Sequence, residues 1–220
     1  SDVCSSDLAE HIEFEELAPR ECTDRIVELA IGRFKDRKMP IEIPDDRNEG
    51  IHGFSHEYIN YMLGGSFRAS YTPLNDNIIN GRIRGVAGVV GCTNARCKQD
   101  WVHVELVKEL IENDVLVLQT GCSQIALAKQ GFYRPEAAKL AGAGLAEVCE
   151  TVGMPPVLGC GSCVDNSRIL IAASEMVRAG GLGNSIAELP AAGAAPEWMS
   201  EKAISIGHYF VASRVFTVFG

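Results

Sequence analysis

Three cysteines, Cys92, Cys122 and Cys163, each stand just after a short apolar run, with a glycine one or two residues before them. Stretches with helical patterns separate the runs, so the predicted order is strand, helix, strand, helix, strand. The carboxyl ends of parallel strands lie at one edge of a sheet, and ligands bind in the crevice there. The three thiols are therefore expected to converge. Soft thiolate ligands at one point predict a cage for a metal or a metal–sulfur cluster.

The sequence around these thiols favours anionic sulfur. A neighbouring glycine lets the backbone turn sharply beside a bulky ligand, and its amide can donate a hydrogen bond to sulfide or thiolate. A helix is predicted after each cysteine, and the positive end of its dipole favours the thiolate over the thiol. Both effects stabilise the charged form of sulfur that binds metals.

The remaining cysteines give weaker signals. Cys149 lies on the apolar face of a predicted helix and is expected to be a small buried hydrophobe. Cys97 follows Cys92 closely, and its role stays open between a ligand and a residue in the first turn of a helix. Cys160 and Cys163 form a C-x-x-C pair, which also fits a redox dithiol or half of a zinc site. Two cysteines outside the strand–helix region receive no role: Cys4 and Cys22.

Composition bounds the class of protein. The 220 residues are 46% hydrophobic and 22% charged, as in a globular protein, and the formal net charge of −9 argues against nucleic acid as a partner. No apolar run is long enough to span a bilayer, and no secretory signal precedes the eight cysteines. Thiol or metal chemistry in a reducing cytoplasm is therefore expected, with no disulfides.

The pattern of the whole chain predicts an α/β fold, a Rossmann-like, doubly wound parallel sheet with part of a preceding domain. In addition to the three strands before the cysteines, strands are predicted at 191–195 and 215–219. Helices are predicted at 55–63, 72–81, 99–112, 124–130, 135–152, 166–179 and 200–212.

Near the amino terminus, residues 1–8 are interpreted as a non-native or disordered leader. Thr23 is predicted to cap an amphipathic helix. The apolar residues of that helix are expected to form a buried stripe: Ile26, Val27, Leu29, Ala30 and Phe34.

Four strings in this order resemble the nickel-containing, anaerobic carbon monoxide dehydrogenases. They are G-V-A-G-V-V-G-C-T-N at 85–94, G-C at 121–122, G-S-C-V-D-N-S-R at 161–168 and A-P-E-W-M-S-E-K at 195–202. The resemblance extends from about Cys22 to Gly220. Hybrid-cluster proteins (hydroxylamine reductases) share the broader fold, but the last two strings resemble them much less.

The resemblance implies an active site made of a nickel–iron–sulfur cluster, [Ni-4Fe-4S], held between Rossmann-like domains. Cys92, Cys122 and Cys163 match three of the cysteines that hold this cluster. Lys202 matches the lysine beside the nickel, which hydrogen-bonds the carboxylate formed from CO and helps to move protons. Ile206, one helical turn later, matches an apolar residue that crowds the CO pocket.

The implied reaction converts CO and water to CO2, two protons and two electrons, with a ferredoxin-type protein as the electron acceptor. The resemblance also implies a homodimer of the full-length protein, and acetyl-CoA synthase is a candidate partner. Residues 9–64 match only the tail of the family's middle domain, and 65–220 match a truncated carboxyl-terminal, cluster-binding domain.

The family's amino-terminal domain, with its [4Fe-4S] relay clusters, is absent, as are the histidine ligand and the remaining cluster cysteines. This chain is therefore expected to be a fragment that is inactive alone. Three alternatives stay open: a non-catalytic iron–sulfur or zinc-binding domain, a hybrid-cluster relative, and a thiol-redox protein that uses Cys160 and Cys163.

Overall fold

The computed structural model describes residues 12, 18–45, 47, 49–65 and 70–220. The predicted leader, residues 1–8, lies outside them. The described residues before 47 and those from Arg47 to Gly220 form two separate compact units. No helix among the described residues is both long and apolar enough to cross a membrane.

The first unit contains one described helix, α1 (Pro19–Phe34), and two predictions about it are wrong. Thr23 is not the cap, because the helix begins four residues earlier and the Thr23 hydroxyl donates to the Pro19 carbonyl within it. The predicted apolar stripe is not buried, since Ile26, Val27 and Phe34 are each about half exposed. An amphipathic pattern predicts a face that is able to pack, whereas burial needs a second element. The described part of this unit contains no second helix or strand that could cover the apolar face of α1.

In the second unit, strands and helices alternate from residue 85 onward. Its elements are α2 (His56–Gly64), α3 (Thr72–Ile79), β1 (Gly85–Val89), α4 (Trp101–Glu112), β2 (Val115–Thr120), α5 (Gly121–Ala128), α6 (Ala143–Val152), β3 (Val157–Gly161), α7 (Asn166–Ala179), β4 (Ala191–Ala195), α8 (Glu201–Ala212) and β5 (Phe216–Phe219). Short 3-10 helices cover Pro135–Leu140, Cys163–Asp165 and Ile186–Glu188.

The five strands form one parallel sheet in the order β3-β2-β1-β4-β5, which confirms the predicted doubly wound α/β class. The order reverses between β1 and β4, where Val86 pairs with Ala191 and Val89 with Ala194. Strands β1, β2 and β3 are buried almost throughout, as expected for a parallel sheet covered on both faces. A Cβ at Gly88 would contact Ile169 of α7 and Phe210 of α8, so these two helices cover the same face.

The helix predicted at 135–152 is instead a 3-10 helix followed by α6, with a break at Gly142. The Gly142 amide donates to the carbonyl of Ile111, and the Leu145 amide donates to Asp114 Oδ1. These tertiary contacts turn the chain between the two helices. The prediction at 124–130 is also displaced, because α5 begins at Gly121 and so includes Cys122 in its first turn.

Candidate metal centre

The carboxyl edge of the sheet brings together the ends of β1, β2 and β3. Cys92 lies in the turn after β1, Cys122 in the first turn of α5, and Cys163 at the start of the 3-10 helix after β3. A Cβ built on Gly121 would lie 2.6 Å from Cys163 Sγ and 3.6 Å from the Gly91 carbonyl oxygen. All three strand ends therefore meet within a few ångströms of Gly121.

Electrostatics link the three thiols to one another and to Lys202. Partial desolvation raises the pKa of the Cys163 thiol, and negative charge on Cys122 and Cys92 raises it further. A backbone hydrogen bond and the Lys202 ammonium lower it. Three thiolates at this edge would repel one another, and a bound cation would relieve the repulsion. The donor set thus fits a soft, thiolate-binding metal group.

Within the described ranges, no three His, Cys, Asp or Glu side chains surround one point as the ligands of a single metal ion would. A metal–sulfur cluster needs a wider spacing than a single ion, because its cysteines bind different metal atoms.

Gly121 is required at this edge for two reasons. Its φ of +63° is in the left-handed region, and a side chain there would collide with Cys163 Sγ. Gly121→Ala is expected to cost about 1–2 kcal/mol in the free energy of unfolding from its backbone alone. It should also displace Cys163 and reduce the metal content of the full-length protein severalfold, as measured by elemental analysis.

Gly131→Ala is a matched control for that variant. Gly131 also has a positive φ, 78°, but a Cβ there would meet nothing within 4 Å. Its thermal stability should fall by a similar amount, whereas its metal content should not change. Equal metal loss in both variants would show that Gly121 matters only for stability.

The loop that contains Cys163 is fixed by its polar neighbours in the 161–168 string. Asp165 Oδ2 accepts hydrogen bonds from the Ser162 amide and hydroxyl, at 2.9 and 3.2 Å. Arg168 Nε donates to Asp165 Oδ1 at 2.9 Å, and this contact is the main cause of the lowered pKa of the Asp165 carboxyl. The buried Asn166 side chain donates to the Cys163 carbonyl and accepts from the Thr120 hydroxyl of β2. These contacts tie Cys163 to the end of β2.

Beside Cys122, a buried network joins β2 to α5. The Tyr133 hydroxyl donates to Gln119 Oε1, and Gln119 Nε2 donates to Ser123 Oγ, both at 2.6 Å. Burial raises the pKa of the Tyr133 hydroxyl well above its usual range, so it remains a donor. Buried networks with satisfied hydrogen bonds are rigid. The presence of Gln119 in an otherwise apolar strand was the sequence signal for this support.

The Cys92 turn is held from both sides by residues whose contact with it was not predicted. The Cys92 amide donates to the Glu197 carbonyl at 3.0 Å. On the other side, His103 Nε2 lies 2.7 Å from the Cys92 carbonyl oxygen. A carbonyl only accepts, so His103 Nε2 carries a hydrogen. His103 is fully buried.

Lys202 and Ile206 both lie on α8, as predicted, and their surroundings differ. Lys202 is exposed near the start of the helix, within electrostatic reach of Cys163. None of the ion pairs among the described residues includes Lys202. Ile206 is half-buried and packs against the small core cluster that contains Val90 and Phe210. Among the described residues, Lys202 thus has no ion pair of the kind that surface lysines commonly form along a helix.

The structure separates the other cysteines by environment. Cys149 is buried, as predicted, and burial raises its thiol pKa to about 12. Cys160 is 5% exposed, and burial likewise raises its thiol pKa to about 12. Cys97 is exposed, in the loop that precedes α4 and not in the helix. Cys160 is therefore a poor nucleophile, which disfavours a redox role for the C-x-x-C pair.

Alkylation measures the difference in reactivity between the buried Cys160 and the exposed cysteines. In metal-free protein at pH 8, iodoacetamide should modify the exposed Cys122 and Cys163 and leave Cys160 unmodified, because the Cys160 thiolate forms only as the pH approaches 12. In denaturant all three should react. Rapid modification of Cys160 in the folded protein would restore the dithiol hypothesis.

Comparison with known proteins gives consistent matches. The Prismane/CO dehydrogenase family matches residues 1–220. Carbon monoxide dehydrogenase 1 of Methanosarcina acetivorans is 51% identical over 210 residues, which cover 95% of this chain and 32% of that protein. A nickel-free crystal structure of carbon monoxide dehydrogenase from Thermococcus sp. AM4 is 49% identical, with a TM-score of 0.84. That match covers 96% of this chain and 33% of the Thermococcus chain.

A second solved structure is that of an acetyl-CoA synthase/carbon monoxide dehydrogenase with NiZn[Fe4S4] and NiNi[Fe4S4] clusters in its closed and open alpha subunits. It is 34% identical, with a TM-score of 0.84, and the match covers 96% of this chain and 33% of that one. The chain thus spans about a third of the length of the proteins it matches.

Proposed function

This chain belongs to the Prismane/CO dehydrogenase family, and we propose that it is part of the catalytic subunit of a nickel-containing carbon monoxide dehydrogenase. The observation that supports this most is that Cys92, Cys122 and Cys163 follow three strands whose ends meet beside Gly121, with Lys202 within electrostatic reach of Cys163. These thiolates would hold one side of a [Ni-4Fe-4S] cluster. The other ligands, a histidine and further cysteines, would come from parts of the longer protein.

The reaction is the oxidation of CO with water to CO2, two protons and two electrons. When bound, the cluster supplies the Lewis acid and the acceptor of the two electrons. The protein must hold it rigidly, and it must supply a group that stabilises negative oxygen and moves protons. A ferredoxin-type protein would then receive the electrons through [4Fe-4S] clusters elsewhere in the longer chain.

Lys202 is suited to the second of these tasks. An ammonium group on a flexible stem donates a charge-assisted hydrogen bond to an anionic carboxylate oxygen, and it can also release a proton. Lys202 has no ion-pair partner among the described residues, so its charge is available to the site. Ile206, one turn further along α8, would limit the space for the substrate with an apolar surface.

The resemblance and the comparisons also support proposals about the compartment, the oligomeric state and a partner of the full-length protein. The full-length protein would be a cytoplasmic homodimer, and acetyl-CoA synthase is a candidate partner because one structural neighbour is such a complex. The boundary between the middle-domain tail and the cluster-binding domain is proposed at residues 64 and 65.

Metal analysis of the full-length protein, purified without oxygen, tests this proposal against its alternatives. Nickel and iron together with CO-dependent reduction of an artificial electron acceptor are expected. Zinc alone would indicate a non-catalytic scaffold. Iron and sulfide without nickel, with hydroxylamine reduction, would indicate a hybrid-cluster relative. Absence of metal with a reversible disulfide would indicate a thiol-redox protein.

A further inference from the structure

Glu197 lies in the loop between β4 and α8, yet its side chain reaches the turn after β1. Its Oε2 accepts a hydrogen bond from the Asn94 amide at 2.9 Å, and its backbone carbonyl accepts one from the Cys92 amide at 3.0 Å. One residue therefore holds two amides of the turn that contains Cys92.

The burial of Glu197 is unusual for a carboxylate. The residue is 2% exposed, and Oε1 is buried with no hydrogen-bond partner in the described part of the chain. Buried polar atoms without a partner are rare in native proteins and cost free energy. An apolar side chain would fill this place without that cost, so packing alone does not explain a glutamate there.

The backbone around Glu197 leaves little freedom. Gly91 has a φ of +117°, and a Cβ there would lie 2.5 Å from the Glu197 carbonyl oxygen. The loop is anchored at its other side by Trp198, whose indole N–H donates to the Gly220 carbonyl at 2.7 Å. The strand β1 and the loop after β4 thus meet at van der Waals distance at the point where the strand order reverses.

We infer that Glu197 is a positioning residue for Cys92: its carboxylate and its carbonyl fix the 92–94 turn and so fix the direction of the Cys92 Cα–Cβ bond, from which the sulfur projects. His103 completes the arrangement from the other side through the Cys92 carbonyl. Both backbone polar groups of Cys92 are then held, and only the side-chain torsion stays free. The inference builds on the proposed function only in treating Cys92 as a ligand.

The test compares Glu197→Ala with Glu197→Gln in the full-length, metal-free protein. The rate of iodoacetamide modification of Cys92 is measured by mass spectrometry, with Cys122 and Cys163 of the same molecules as internal references. Loss of a hydrogen bond to a charged group allows local opening about tenfold more often, so Glu197→Ala should raise the relative rate of Cys92 about tenfold. Glu197→Gln keeps an acceptor for the Asn94 amide and should stay within about twofold of the parent protein.

Asp114→Ala is the matched control, because Asp114 Oδ1 also accepts a backbone hydrogen bond, from Leu145, beside the opposite end of β2. It should leave the relative rate of Cys92 unchanged. An unchanged rate in Glu197→Ala, or an equal rise in Asp114→Ala, would overturn the inference. Since the measurement uses metal-free protein, its outcome does not depend on whether the protein oxidises CO.

Metal loading gives a second readout. After reconstitution with iron and sulfide, Glu197→Ala should bind less iron than Glu197→Gln, because one thiol is no longer held in place. If both variants and the parent bound the same iron while the Cys92 rate changed, the turn would be fixed by Glu197 without consequence for ligation, and the positioning role would be wrong.

Discussion

Lys202→Ala in the full-length protein is expected to keep its nickel and iron near normal while CO oxidation falls by about 10²–10⁴-fold, the usual contribution of general acid–base help. The physical reason is the position of the ammonium group, which lies within electrostatic reach of Cys163 and is not paired with a carboxylate in the described structure. Its removal takes away a charge-assisted donor and a proton carrier, but no metal ligand. Turnover and metal content are measured on the same samples.

Two further variants sharpen this prediction. Lys202→Arg keeps the positive charge but cannot release a proton near neutral pH, so a rate well below that of the parent would assign proton transfer to Lys202. Lys108→Ala is the control, because Lys108 is a partly exposed lysine in an ordinary pair with Glu105. Loss of the metals in Lys202→Ala, or full turnover without the lysine, would show that its proposed role is wrong.

The electrostatic part of the prediction can be measured without metal. Lys202 lowers the pKa of the Cys163 thiol, against burial and the neighbouring thiolates that raise it. Lys202→Ala should therefore raise that pKa, and Cys163 should be alkylated more slowly at a fixed pH below it. The direction of this pKa change tests whether Lys202 lies near Cys163, independently of any role of Lys202 in catalysis.

Much of the fold was predictable because its signals are local. Apolar runs followed by glycine and helical patterns indicated β1, β2 and β3, and the parallel arrangement then required their carboxyl ends to meet. The helix at 166–179 and the strand at 191–195 were also predicted correctly. These elements depend on periodicity, which a single sequence shows directly.

The features that were missed depend on contacts between distant parts of the chain. The break at Gly142 is made by a hydrogen bond to Ile111, and the contact of Glu197 with Asn94 joins residues 103 positions apart. Likewise, the pattern of α1 indicated an apolar face but not what would cover it. Periodicity contains no information about such partners, whereas a polar residue in a buried strand, such as Gln119, marks a place where one is needed.

The positions of the three cysteines suggest how a sheet edge serves a metal cluster. Each thiol follows a different strand, so each is held by a separate set of contacts: His103 and Glu197 at Cys92, the Gln119 network beside Cys122, and Asn166 with Thr120 at Cys163. A cluster bound there would be fixed at three points of one rigid layer, which keeps its geometry constant during turnover.

Cys163→Ala in the full-length protein is expected to abolish CO oxidation together with nickel binding, and to lower the iron content by the share that belongs to the catalytic cluster. Cys163 Sγ lies beside Gly121, where the strand ends meet, and the pKa of the Cys163 thiol responds to both other cysteines and to Lys202. Removal of this sulfur would take away one anionic ligand of the proposed cluster. Elemental analysis and activity are measured together.

The control for this variant is Cys160→Ala, three positions earlier in the chain, in β3. Cys160 is buried with a thiol pKa of about 12, so its removal should cost some stability as a lost core side chain while nickel, iron and activity stay near normal. If metal were lost in Cys160→Ala and retained in Cys163→Ala, Cys160 would be the metal ligand and Cys163 would not. Equal metal retention in both variants would show that no cluster binds at this edge. A metal ligand and a core cysteine cannot be equally dispensable for metal binding.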